Sequence, residues 1–286
     1  MKKHLNTSLI ISTITFVGSL FFSSCSKDSN DSATTSVPLL ASTSSYGSDS
    51  VLSYGESYQY DKQGRITKMT DSDGSYYSTM EYSGSTIIIK DYTDGKSDGT
   101  STGKLNNKGL CTSVSYEGDN YLDTYEYDSN GYRKSSIYES DSWVHTETYT
   151  VSGGNYVTII SEDKLKTTKS ATTNEIDHFK KSALFTNLRE RFTPKTRLKS
   201  AATDYTDRTD YQFFTDKTNT IDFENMGISF LGKQNKNPIK QETTTSTYGS
   251  DTNSYISIYT YEYDNKGRIT KQIADSGYYT VYTYVN

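Results

Sequence analysis

The sequence predicts an all-β chain. The expected architecture is an antiparallel meander of hairpins that forms a barrel or a strongly curved sheet, with one short helical insertion. Three observations carry this. A Tyr-x-Tyr-Asp motif followed by Gly recurs at 58–64, 125–131 and 261–267, with weaker echoes between. The chain has 27 Tyr but only 32% hydrophobic residues and a mean hydropathy of −0.75. Tyr and Thr favour strands, and Tyr buries a large ring while keeping one polar tip, so this polarity belongs to a sheet. Finally, Tyr46-Gly47-Ser48-Asp49 recurs as Tyr248-Gly249-Ser250-Asp251, so the sheet begins and finishes with the same unit. A long twisted meander of roughly 12–16 strands tends to curl, and closure removes its edges.

Residues 1–24 read as a lipoprotein signal peptide. Lys2 and Lys3 precede an apolar run from Leu9 to Phe22, which is too short for a permanent span, and small residues lead to Cys25. The segment resembles a bacterial lipoprotein signal, which implies that Cys25 is the lipid attachment site. Several acyl chains would hold the protein on a membrane through that anchor alone. Asp28 and Asp31 resemble export signals to the outer face of the outer membrane. Removing 1–24 takes away two Lys and no acid, moving the net charge from −5 to −7, so nucleic acid is no expected partner. Cys111 is then the remaining thiol, and no intramolecular disulfide can form.

Residues 25–45 read as a Ser/Thr-rich tether, and 46–286 as a single β domain. Within that domain, anchors at 60, 82, 105, 127 and 149 are separated by 22, 23, 22 and 22 residues. Tyr-x-Tyr places two rings on one face of a strand. Asp, Asn and Lys then enter a turn, and Gly supplies a positive φ. Second turns stand at Asp71–Gly74, Asp94-Gly95, Glu117–Asn120 and Asp275–Gly277. Each repeat is therefore one hairpin.

Two regions break the rhythm. Ile176, Phe179, Ala183, Leu184, Leu188 and Phe192 are spaced as a helix over about 174–193, capped by Asn174 and stopped before Pro194. Residues 164–199 carry ten Lys or Arg against three acids, a local charge of +7. This insertion either docks on an acidic sheet or plugs the barrel or meets a partner. The second break, 223–233, is apolar with two Gly and reads as an ordered buried connection.

Catalytic and metal signals are thin, so no enzyme, cofactor or metal is expected. His145 and His178 make no zinc-ligand pair. Gly95-Lys96-Ser97 lacks the earlier Gly of a phosphate loop, and Asp71-Ser72-Asp73-Gly74 has its Gly misplaced for a calcium loop. Gly227-Ile228-Ser229-Phe230-Leu231 lacks the closing Gly of a nucleophile elbow. Rows of Tyr serve either as core and cross-strand ladders or as a sugar-stacking platform. Tyr76-Tyr77 and Tyr278-Tyr279 must present one ring on each face. Trp143, the only Trp, and the tyrosines Tyr76 and Tyr278 are the candidate ligand-contact residues.

Tyr-x-Tyr-Asp-x-x-Gly-Arg-Ile-Thr resembles the YD repeats of Rhs and teneurin proteins, which form β-shells linked to carbohydrate binding. The whole plan over residues 45–286, including Phe230-Leu231-Gly232-Lys233-Gln234-Asn235-Lys236-Asn237, is similar to a lipoprotein family of Gram-negative gut bacteria. That family is classed as a domain of unknown function with a porin-like fold; the resemblance implies a fold and no catalytic residue. Strands here carry Tyr, Ser, Thr and charge on both faces, so a water-exposed domain on a lipid leash is expected rather than a membrane-spanning barrel. The expected function is a surface lipoprotein binding an extracellular glycan or protein. The alternatives are a structural or assembly component of the envelope and, behind it, a glycan hydrolase.

Overall fold

The computed structural model describes residues 37–141, 143–166 and 205–286. Among them, sixteen strands form one closed barrel in which every strand pairs antiparallel with its chain neighbours, and the last pairs with the first. In order they are β1 (Leu40–Tyr46), β2 (Leu52–Tyr60), β3 (Ile66–Asp71), β4 (Tyr76–Ser83), β5 (Thr86–Thr93) and β6 (Lys96–Leu105). Next come β7 (Cys111–Tyr116), β8 (Leu122–Tyr127), β9 (Arg133–Glu139), β10 (Trp143–Ser152) and β11 (Asn155–Leu165). The last are β12 (Tyr205–Phe213), β13 (Ile239–Tyr248), β14 (Asp251–Tyr263), β15 (Ile269–Ala274) and β16 (Tyr279–Tyr284). The expected helix at 174–193, the signal segment and Cys25 lie outside the described residues.

The repeat has a single local cause. In the β2–β3 turn, Asp61 Oδ1 accepts from the amides of Gln63 (2.9 Å) and Arg65 (3.0 Å), while its Oδ2 accepts from Arg65 Nε at 2.7 Å. Asp264 repeats the arrangement with Lys266 and Arg268 in the β14–β15 turn. Asp128 and Asn106 make the same pair of amide bonds. Gly64 closes its turn at φ +76°, a conformation disfavoured for other residues. The ladder shifts register at Tyr60, Leu105, Tyr127 and Tyr263, immediately before each of these turns. A bulge there adds local twist.

The barrel begins six residues earlier than the expected boundary at 46. Leu40–Tyr46, assigned to the end of the tether, is β1. A Ser/Thr run reads as linker by composition, yet it alternates faces here. Leu40 and Thr43 are buried inside, while outward Ser42 Oγ meets Thr283 Oγ1 of β16 at 2.7 Å.

Residues 214–238, between β12 and β13, fold across the barrel end that carries the Asp-type turns. Phe223, Met226, Ile228, Phe230 and Leu231 are buried in this plug and join Leu40, Ile66, Met69, Met80, Ile87, Ile89 and Val114 in one core. The expected buried connection at 223–233 is thus present. Its backbone is tied around the rim of that end. Leu40 N donates to Asn225 O (2.7 Å), Ile66 N to Gly227 O (3.1 Å), Lys233 N to Gly131 O (2.9 Å) and Lys236 N to Gly154 O (3.0 Å). Two glycines permit the contact. A Cβ on Gly227 would stand 2.6 Å from Gly64 O, and one on Gly232 would stand 2.8 Å from Gly131 O.

The outer wall is mostly polar. On β12 and β13 the outward pairs are Thr206–Thr247, Arg208–Thr245 and Asp210–Thr243. Ion pairs Lys90–Glu81 and Lys271–Glu262 also lie outside. Exposed Leu122, Ile137, Ile256 and Ile258 are scattered among them. Outward tyrosines stack as Tyr46–Tyr279 (4.8 Å) and Tyr77–Tyr92 (4.6 Å between centroids). No described helix is long and apolar enough to cross a membrane, which leaves strand-borne crossing aside.

Candidate ligand-binding chamber

The inner face opposite the plug combines carboxylates with tyrosine hydroxyls. On β2, Glu56 accepts from Tyr58 OH at 2.7 Å and also from Tyr54 OH. Asp91 of β5 accepts from Ser78 Oγ (2.5 Å) and Tyr76 OH (2.8 Å). Asp123 of β8 accepts from Tyr116 OH (2.6 Å) and Tyr125 OH (3.4 Å). Glu147 of β10 accepts from Tyr149 OH (2.5 Å) and Tyr138 OH (3.2 Å). Asp207 of β12 accepts from Tyr205 OH at 2.6 Å, and Glu242 of β13 from Tyr259 OH at 3.4 Å.

Local sequence produces this girdle. Tyr54-x-Glu56-x-Tyr58, Asp123-x-Tyr125, Glu147-x-Tyr149 and Tyr205-x-Asp207 place both groups on one face because strand side chains alternate. Cross-strand register then extends the row: Ser136, Glu147, Ser161 and Asp207 are successive partners from β9 to β12. Burial raises the affinity of Asp91 and Glu242 for a proton, opposed by their hydroxyl donors. It also pushes the Tyr76 and Tyr259 hydroxyls up, so these remain protonated donors at neutral pH. Sequence reasoning found many acids with nothing to select among them and missed the set. The signal was present as an acid two residues from a Tyr on the same strand face.

His145 sits in this girdle. Its Nδ1 is 2.7 Å from Asp163 Oδ1 and its Nε2 is 3.4 Å from Glu147 Oε1. Trp143 stacks on its ring, with centroids 5.6 Å apart and planes 21° from parallel. Arg133 lies deeper, with its guanidinium over the Tyr125 ring at 4.8 Å and bonded to Leu231 O of the plug at 3.2 Å. Among the described residues no three His, Cys, Asp or Glu gather as a metal-binding group. Of the sequence candidates, Trp143 and Tyr76 face inward near the end opposite the plug. Tyr278 stands apart on the β15–β16 turn and is 58% exposed.

A cavity of about 220 Å³ lies at the base of the chamber, between the plug and the wall formed by β1, β16, β15 and β14. Leu40, Ile221, Met226 and Ile239 make its apolar part, and Gln234, Asn235, Gln272, Tyr261 and Tyr282 its polar part. Tyr282 OH donates to Gln272 Oε1 at 2.9 Å, and Gln272 Nε2 to Tyr261 OH at 3.3 Å. Asp222, also in the lining, has its carboxyl pushed up to about 6 by burial and then by nearby Glu224.

The architecture has counterparts among solved structures. A porin-like protein from Bacteroides uniformis superposes with a TM-score of 0.52 at 15% identity, covering 86% of this chain and 98% of its own. A porin-like protein from Bacteroides vulgatus gives 0.55 at 11% identity, with coverage of 87% and 99%. At these identities the likeness is one of fold. No family model matches the chain, and no curated protein matches it.

Proposed function

We propose that this chain is a non-catalytic lipoprotein of the bacterial outer membrane, acylated at Cys25. Its barrel stands in water outside the cell and captures an extracellular ligand, with a glycan ahead of a protein. The observation that carries this is the pairing of a plugged end with a polar wall. A conducting barrel needs a through-passage and an apolar outer belt about 25 Å tall. Here residues 214–238 cover one end, and Thr, Ser and charged residues fill the wall. The cavity against the plug, lined by tyrosine hydroxyls, amides and apolar side chains, matches the alternating CH and hydroxyl surface of sugars.

The chain enters the barrel at the plugged end, where Asn225 Nδ2 donates to Pro38 O at 2.8 Å. The opposite end of the barrel therefore points away from the side on which residue 37 arrives. The mature chain from Cys25, acylated for flotation and Cys25→Ser for solution work, tests the proposal. Expected are membrane association dependent on Cys25, no conductance steps in a planar bilayer, and glycan-array binding that weakens in Trp143→Ala. Stable conductance, or an array with no bound glycan beside a tight envelope-protein partner, would replace this proposal with a pore or an assembly role.

A further inference from the structure

We infer that the cavity between the plug and the wall of β1, β16, β15 and β14 is a subsite for a single uncharged pyranose unit. This rests on the glycan proposal above and names the place and the ligand class. Size comes first. About 150 Å³ suffices for a bare benzene ring, so about 220 Å³ takes a six-membered ring with its substituents. It is below the range of about 300–1,000 Å³ typical for larger ligands.

Lining chemistry comes second. A buried apolar void stays dry, but this one is half polar, so its occupant must offer hydrogen bonds as well as CH groups. Gln234 makes no hydrogen bond among the described residues, and its side-chain amide offers both a donor and an acceptor. Asn235 spends its Oδ1 on the Tyr156 amide at 2.7 Å, which leaves its Nδ2 as a donor. Gln272 is held between the hydroxyls of Tyr261 and Tyr282, so its carboxamide is a fixed polar group of the wall. Adjacent donors and acceptors suit the vicinal hydroxyls of a sugar, while Leu40, Met226 and Ile239 meet its CH face.

Charge selects against other occupants. The lining has no Lys, Arg or His among the described residues, which disfavours a sulfated or phosphorylated sugar. Asp222 alone is too little for a divalent ion. The cavity also reaches Ser45 and Thr280, one register step from the rim pair Tyr46–Tyr279. The cavity thus extends along this wall from the plug toward the opposite end of the barrel.

The test uses the soluble mature chain with saturation-transfer NMR and calorimetry against glucose, galactose, mannose and N-acetylglucosamine, with glucose 6-phosphate and spermidine as charged probes. At least one neutral sugar should bind, and both charged probes should bind more weakly. Gln234→Ala, which breaks no internal bond, and Gln272→Leu should each weaken binding about fivefold or more. The outer-wall variant Thr245→Ala should leave it unchanged, and thermal melts should report an intact fold for Gln234→Ala. Glycan binding that Trp143→Ala removes but both glutamine variants retain would overturn this subsite and leave the glycan proposal standing. Preference for a charged probe would also overturn it. No glycan bound by any form of the protein would overturn both.

Discussion

Replacing Gly227 with Val attacks the plug at its tightest contact. A Cβ there would lie 2.6 Å from Gly64 O, 2.8 Å from Ile66 N and 2.8 Å from Tyr60 Cε1, and the residue sits at φ +68°. A branched side chain in that conformation costs about 1–2 kcal/mol before any clash. Two of these clashes are with backbone, so the plug must lift, which breaks the 3.1 Å bond from Ile66 N to Gly227 O. Ile66 is fully buried, and a stranded amide there costs about 1–3 kcal/mol more. The expected loss is about 2–5 kcal/mol from these two terms. Gly74→Val is the control, because its φ of +78° is similar but nothing lies within 4 Å. It should lose only the backbone part, about 1–2 kcal/mol. Urea unfolding followed by tyrosine and tryptophan fluorescence measures both. Equal midpoint shifts for the two variants would refute the claim that residues 214–238 are fastened at this point.

Other outcomes follow from the same structure. Asp222 has its carboxyl raised from 3.8 to about 6, so the folded state holds its proton more tightly than the unfolded chain. Its contribution is full below pH 4 and is lost as pH rises through about 6. Asp222→Asn should then be more stable than the parent at pH 7, by up to about 3 kcal/mol, with the difference vanishing near pH 4 in paired urea titrations. Asn106→Ala removes the acceptor for the amides of Lys108 and Leu110 and should cost about 1–2 kcal/mol. Asn106→Asp should be near neutral by thermal melt, since Asp61, Asp128 and Asp264 fill that role elsewhere. The thiol of Cys111 is fully buried, and burial pushes it up to about 12. It should resist iodoacetamide in the native protein at pH 8 and react at once in urea, as mass spectrometry would show.

Much of the barrel could be read from spacing. An Asx turn is a local device, so Asp61, Asn106 and Asp128 announced their hairpins through nearby residues alone. The matching first and last units anticipated closure of β1 on β16. Three things were not legible. The start of β1 was hidden because Ala41–Ser45 looks like linker until Tyr279–Tyr284 lies beside it. The plug was recognisable as buried, but its sealing of one end depends on contacts between Gly227 and Gly64, and between Asn237 and Asn155. The carboxylate girdle joins residues as distant as Glu56 and Glu242, and only curvature brings their faces together. Tyr76 and Trp143 were placed near it by their residue type. Tyr278 was not, because a turn carries it outside.

The seam between β1 and β16 has a bearing on how this chain is made. Leu40 meets Tyr284 across it, so the first strand waits for the fifteen strands that follow before its free side is satisfied. Contacts this remote slow folding, and an unmated margin invites strangers to add a strand. The hydroxyl-rich, weakly sticky character of Ala41–Ser45 suits a margin that must stay idle until its true neighbour emerges last.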